Sequence, residues 1–206
     1  MSGGQDAAPL QFVPTLPPEE AARANFYGLI ARLFSAPPDA ALLRALADAD
    51  ELDAEEGGIA LAWRDLARAA ADADPDAVRE EYETAFIGVG KAPITLYASA
   101  YSVRFTNEAP LARLREELSQ LGIARRSETS EPEDHVAALC EVMRYLIAEE
   151  KADLGIQKQF FERWIWPIAN PLCDAINKSE LTPRYRAVAK FARAFFELEH
   201  SAFEML

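Results

Sequence analysis

The sequence predicts an all-α protein, folded as one compact bundle of about nine to eleven helices on the spacing of its apolar residues. Three observations carry that expectation. Beyond residue 16, apolar side chains recur every three or four residues through most of the chain. No stretch sustains the period-two alternation of a half-buried strand. Pro17-Pro18, Pro37-Pro38, Gly57-Gly58 and Thr182-Pro183 mark points where periodic stretches begin or end. Alanine richness adds helix propensity and permits close packing.

Residues 1–16 read as a flexible tail and residues 17–206 as the folded domain. Pro17 and Pro18 open the first helix, whose stripe is Ala22, Phe26, Leu29, Ile30, Leu33 and Phe34, and Pro37-Pro38 end it. A short helix follows around Leu42, Leu43 and Leu46. Another surrounds Ile59, Trp63 and Leu66 after Gly57-Gly58. Asp74-Pro75 starts the next, which carries Val78, Tyr82, Ala85 and Phe86 and stops at Gly88. Residues 88–98 have no helical period and read as a loop. Leu111, Leu114, Leu118 and Leu121 form a helix ending at Gly122, followed by a polar hinge over 122–130. Ser130 or Glu131 opens the helix of Val136, Leu139, Cys140, Met143, Leu146 and Ile147. One helix surrounds Phe160, Phe161, Trp164 and Ile165, with Asn170-Pro171 as its punctuation. The last begins at Thr182-Pro183 and runs through Phe203.

Composition excludes several classes of function. The 206 residues are 50% hydrophobic, enough for a core without covalent staples. Formal net charge is −13 and the basic residues are scattered, which argues against a nucleic-acid partner. The acidity serves solubility or favours a basic partner. Cys140 and Cys173 are the two cysteines and form no C-x-x-C pair, a pattern suited to a reducing compartment. The N-terminus lacks the basic and apolar regions of a secretory signal, and no apolar run approaches a membrane span. A cytoplasmic location is expected.

Two constellations stand out. In Glu131-Pro132-Glu133-Asp134-His135, the first acid, Asp134 and His135 would share one face of a helical first turn. Carboxylates suit that end of a helix, so capping alone accounts for them. A cation does not suit it, so a neutral, hydrogen-bonded His135 is expected. Upstream, Tyr82-x-x-x-Phe86-x-Gly88-x-Gly90 runs through Pro93 into Tyr97-x-Ser99-x-Tyr101. Aromatic rings beside flexible backbone suit peptide recognition, although each ring alone is as well explained by packing.

Together, in this order and spacing, these two segments resemble the TorD/DmsD family of molybdoenzyme maturation chaperones, over roughly residues 20–205. The resemblance implies the TorD/DmsD type of helical bundle and a cytoplasmic, non-enzymatic chaperone without a cofactor. It implies a partner: the molybdenum-containing catalytic subunit of a dimethyl-sulfoxide-reductase-type oxidoreductase, held through its N-terminal twin-arginine leader or as the apo form during cofactor insertion and export control. It implies a peptide site at Phe86, Gly88, Pro93, Tyr97, Ser99, Tyr101, Glu131, Pro132, Asp134 and His135. A monomer and a domain-swapped dimer are both compatible with it. One departure is that Trp164 and Ile168 stand where the family often has His and Trp. The acids would meet guanidinium groups, and Phe86, Tyr97 and Tyr101 the apolar stretch.

Other readings have thinner support. Glu197-x-x-His200 has the spacing of a di-iron ligand pair, but a helical-bundle metalloenzyme needs a second such pair, and the chain has two histidines in all. A solvated face is the expectation there. Gly88-Val89-Gly90-Lys91 lacks the first glycine and the Ser/Thr of a phosphate loop. Cys140 reads as inert core. A generic helical adaptor is the remaining alternative.

Overall fold

A computed structural model describes residues 16–52, 57–88, 91–101, 110–124, 132–150 and 152–206. Local chemistry sets most helix ends. Helix α1 (Pro18–Ser35) starts on a proline that has no N–H to lose, with Glu19 and Glu20 in its first turn and Arg32 in its last, matching the helix dipole. In α2 (Ala40–Ala47) the Asp39 carboxylate accepts from the Leu42 N–H. Helix α3 spans Gly58–Ala71. In α4 (Pro75–Tyr82) the Asp74 carboxylate accepts from the Asp76 N–H. These are the side-chain caps that the N-terminal N–H groups of a helix require.

Helix α4 runs on into a π-helical turn, Glu83–Ile87, which ends at Gly88 with φ +62°. A side chain at Gly88 would be strained by that φ and would crowd Ala92, Lys91 and Pro93 at 3.2 Å. Helix α5 is Pro110–Gln120 and α6 is Val136–Ala148. Helix α7 (Leu154–Phe160) passes through a second π turn, Phe161–Ile165, into α8 (Trp166–Lys178). Helix α9, Tyr185–Glu204, closes the chain. The fold is all-α, and among the described residues the one β feature is an isolated antiparallel bridge between Tyr97 and His135. No described helix is long and apolar enough to cross a membrane.

Helix α1 lies along α6, α9 packs on α8 and α3, and α2 on α3. Phe26, Trp63, Phe191 and Phe195 interlock between α1, α3 and α9 at ring separations of 5.3–5.7 Å. A second aromatic group, Phe34, Tyr82, Phe86 and Tyr185, closes the far end of α1. Its phenols donate to carbonyls that the helix end leaves orphaned: Tyr185 to Leu33 O at 3.0 Å and Tyr82 to Phe34 O at 2.9 Å. Glu81, from α4, reaches the start of α9 and accepts from the N–H groups of Arg184 and Tyr185.

Four sequence expectations change. Ala22 is exposed, because the buried stripe of α1 centres on Ala24, Tyr27, Ile30 and Ala31. Pro171 lies inside α8 rather than ending a helix; burial of Ile168, Leu172, Cys173 and Ile176 on α8 holds the helix together past it. Residues 132–134 precede α6 instead of forming its first turn. Glu197 is exposed, but His200 is half-buried and stacks on Trp166 at 3.9 Å and 15°.

Burial raises several acidic groups in the core: the Cys173 thiol goes up to about 11, against the pull of Arg193, and Cys140 goes higher. A folded-state pKa above the unfolded value preserves stability below the unfolded pKa and removes it as pH climbs toward the folded one. Stability should therefore fall from roughly pH 8.5 upward, where unfolded-state thiols ionise. Urea unfolding at pH 8 and pH 10 checks this. A Cys140→Ala/Cys173→Ala variant, weaker at pH 8, should lose less on the step to pH 10 than the parent does.

Candidate functional site

The sequence segments singled out above meet through backbone pairing. The Ala98 N–H donates to Asp134 O, and the Val136 N–H to Leu96 O, both at 2.8 Å. These bonds take Asp134 and Val136 groups that a continuous helix would otherwise use, which is why α6 starts at Val136 and His135 stays extended (φ −64°, ψ 135°). His135 is the N-cap residue: its Nδ1 accepts from the Ala137 N–H at 3.2 Å, which requires an unprotonated Nδ1. The Tyr97 ring meets the imidazole edge-on at 5.2 Å.

Asp134 does not face solvent. It is 3% exposed, and its carboxylate accepts from the Ser99 N–H at 3.0 Å. Tyr101 is half-buried and donates its hydroxyl to Thr95 O at 2.8 Å. Burial, with Cys173 nearby, raises its pKa to about 12. Asp134 and Tyr101 thus brace the 95–101 segment instead of offering themselves to a ligand. Asp134→Ala should cost about 1–3 kcal/mol, because it removes the acceptor of the Ser99 N–H and leaves that donor unpaired. Faster amide exchange at Ser99, against unchanged exchange in α9, is the expected signature.

Beside this brace lies an open groove of about 1160 Å³. Helix α1 supplies one wall with Asn25, Gly28, Leu29 and Arg32; α6 supplies the other with Ala137, Ala138, Glu141 and Arg144. Phe86, Leu96, Tyr97 and His135 close one end, and Ile87 stands at the lip, 59% exposed. At Gly28 a Cβ would lie 2.9 Å from the Arg144 Cδ, so the Arg144 side chain lies over this bare position of α1. The lining is mainly apolar, and its charged members are Arg32, Glu141 and Arg144. Glu141 pairs with Arg144 at 2.7 Å.

Of the ten residues expected to bind peptide, Phe86, Tyr97 and His135 line the groove. Gly88, Pro93, Ser99, Tyr101, Pro132 and Asp134 shape or brace its end, and Glu131 lies outside the described residues. Among the described residues the charged lining is Arg32, Glu141 and Arg144, and the Asp134 carboxylate accepts from backbone. Sequence reasoning missed the α1 and α6 walls. Gly28, a glycine in mid-helix, and the Ala137-Ala138 pair are the signals that could have found them.

The family model described as the nitrate reductase delta subunit matches residues 50–174, more than half the chain and the part that carries both segments. The chain belongs to that family. The delta-subunit family falls within the TorD/DmsD-like maturation proteins, so the sequence resemblance holds at that broader level. A solved structure, of a proposed redox enzyme maturation protein from Archaeoglobus fulgidus, is similar to this chain with a TM-score of 0.55 at 21% identity, over 92% of this chain and 99% of that one. That likeness speaks for the fold. Curated proteins yield no match. Family membership carries a general maturation role in redox-enzyme assembly. Among the described residues, no group of three or more His, Cys, Asp or Glu is placed to hold a metal. Trp164 and Ile168, the departures noted above, are both buried; Trp164 donates its indole N–H to Glu117 at 3.0 Å.

Proposed function

We propose that this delta-subunit family member is a chaperone whose α1–α6 groove holds the N-terminal leader of a molybdopterin oxidoreductase catalytic subunit, of twin-arginine type or a remnant of it, while the cofactor is inserted. The groove is the observation that supports this reading. At about 1160 Å³ it exceeds the ~300–1,000 Å³ of small-molecule sites and suits a peptide segment. Its apolar walls suit the leader's apolar stretch, laid in as a helix or extended chain.

The basic head of such a leader would stay at the rim. Asp134 is spent on the Ser99 N–H, and Glu141 would have to leave Arg144 to receive it. The net charge of −13 acts at longer range, raising the encounter rate of a basic segment more than its final affinity. Exposed ion pairs contribute only about 0–1 kcal/mol each, so the apolar part must supply most of the binding.

Calorimetry with a synthetic twin-arginine leader peptide of a molybdopterin oxidoreductase catalytic subunit tests the reading. One-to-one binding with a negative heat-capacity change, weakened only modestly by salt, is expected. Capture of the apo subunit equally well with and without its leader, together with no heat from the peptide, would refute it.

A further inference from the structure

The two ends of the α1–α6 groove differ in chemistry. At one end Arg144 of α6 lies over Gly28, and Asn25 shares that face of α1. At the other end Phe86 sets its ring against that of Phe34 at 6.3 Å, and Ile87 is exposed at the lip. Gly28 and Phe34 are six residues apart on α1, a distance of ~9 Å. A bound segment therefore meets a polar end and an apolar end separated by ~6 residues of helix or ~3 of extended chain.

The charged lining of the groove is already paired. Arg32 reaches Asp39 at 3.7 Å, and Asp39 also caps α2 by accepting from the Leu42 N–H at 2.7 Å. That acid is held in place by the helix it starts. Glu141 lies mid-helix and caps nothing. It accepts from Arg144, one turn further along α6, at 2.7 Å, and both side chains are about half exposed. Such an i,i+3 pair shifts an equilibrium by only about twofold. Glycine is a poor mid-helix residue, yet at 28 it leaves the bare backbone over which Arg144 rests. A weak, exchangeable ion pair thus reaches from α6 onto α1 at the polar end of the groove.

We propose, resting on the client-binding reading above, that Glu141 selects for an arginine in the bound segment and that Arg144 holds that arginine's place until it arrives. The incoming guanidinium takes the Glu141 carboxylate in the bidentate form that a lysine ammonium cannot match. Arg144, repelled by the new charge, turns out to solvent, which its exposure permits at little cost. One charge-assisted pair replaces another, so affinity stays mainly with the apolar end. A segment without arginine gains nothing at Glu141.

Calorimetry at low salt tests this with two leader peptides, alike except that one carries Arg-Arg and the other Lys-Lys. The parent should bind the arginine peptide about three- to fivefold more tightly. Glu141→Gln should bind both peptides alike, near the parent's affinity for the lysine form. Arg144→Met should bind the arginine peptide roughly twofold more tightly than the parent does, a gain that should vanish in Glu141→Gln/Arg144→Met. Both positions are exposed, so helix content should not change. A parent that binds both peptides without preference, or a Glu141→Gln variant that keeps the preference, would overturn the role of Glu141 while leaving the groove as the client site. An Arg144→Met variant no tighter than the parent would refute the place-holding role. No binding of either peptide by the parent would refute the client reading, and the role of Glu141 with it.

Discussion

Glu199→Ala will lower the unfolding free energy by about 3 kcal/mol, the low end of what breaking a buried, hydrogen-bonded ion pair costs. Glu199 sits on α9 at 3% exposure. Its two oxygens accept from Arg23 Nε and Nη2, each at 2.8 Å, in the bidentate geometry that makes such pairs strong. One oxygen also accepts from the Tyr27 hydroxyl at 2.9 Å, and Tyr27 is fully buried. Burial opposes the Arg23 charge, but the bonds to Glu199 and Glu20 outweigh it and hold its pKa above the ordinary value. Alanine at 199 leaves a buried phenol without its acceptor and the guanidinium with Glu20 alone.

The low end of the range is expected because the Arg23 side chain keeps 18% exposure and water reaches it. Replacing all three partners by apolar groups, Arg23→Leu/Tyr27→Phe/Glu199→Leu, should return stability to near the parent, since no polar group is then stranded. Denaturant titration with an unchanged slope checks both variants. A loss under about 1 kcal/mol for Glu199→Ala would mean that water already serves this network.

Ala138→Trp will abolish leader binding, by at least roughly thirtyfold, which is about 2 kcal/mol of binding free energy. Ala138 is half-buried on α6 and lines the groove, as Leu29 of α1 does. An indole there fills part of the open groove, space that a ligand side chain would use. The helix pays little, since Trp costs well under 1 kcal/mol against Ala in propensity. Helix content and melting temperature should therefore stay near the parent values. A matching change on the exposed face of α3, Leu61→Ser, should leave binding untouched. Full affinity in Ala138→Trp would move the client site away from the α1–α6 groove.

The residues that carried the sequence reading were legible to different degrees, and the reasons differ. Phe86 lies beside a helix stop written in Gly88, whereas Tyr97 and His135 reach the groove through the backbone pairing of residues 96–98 with 134–136. The burial of Asp134 is not legible in sequence, because its carboxylate looks the same whether it meets solvent or the amide of Ser99, 35 residues away. Glu199 and Glu81 carry no local signal that sets them apart from other acids on amphipathic helices. Their partners, Arg23 and the first turn of α9, lie 176 and 103 residues distant.

Local chemistry settled where most helices begin and end: prolines without N–H groups, Asp39 and Asp74 as caps, and Gly88 and Gly122 at positive φ act within a few residues of themselves. Apolar spacing likewise settled the all-α class, because the side chains of one helix face recur with the helix's own period. Which residues meet across the groove was decided only when α1 came to lie on α6. The start of α6 at Val136, against the expectation from Pro132, was decided by backbone bonds to residues 96–98. Long-range pairing competes for the same N–H and C=O groups that local helix formation needs, and no window of sequence contains both competitors.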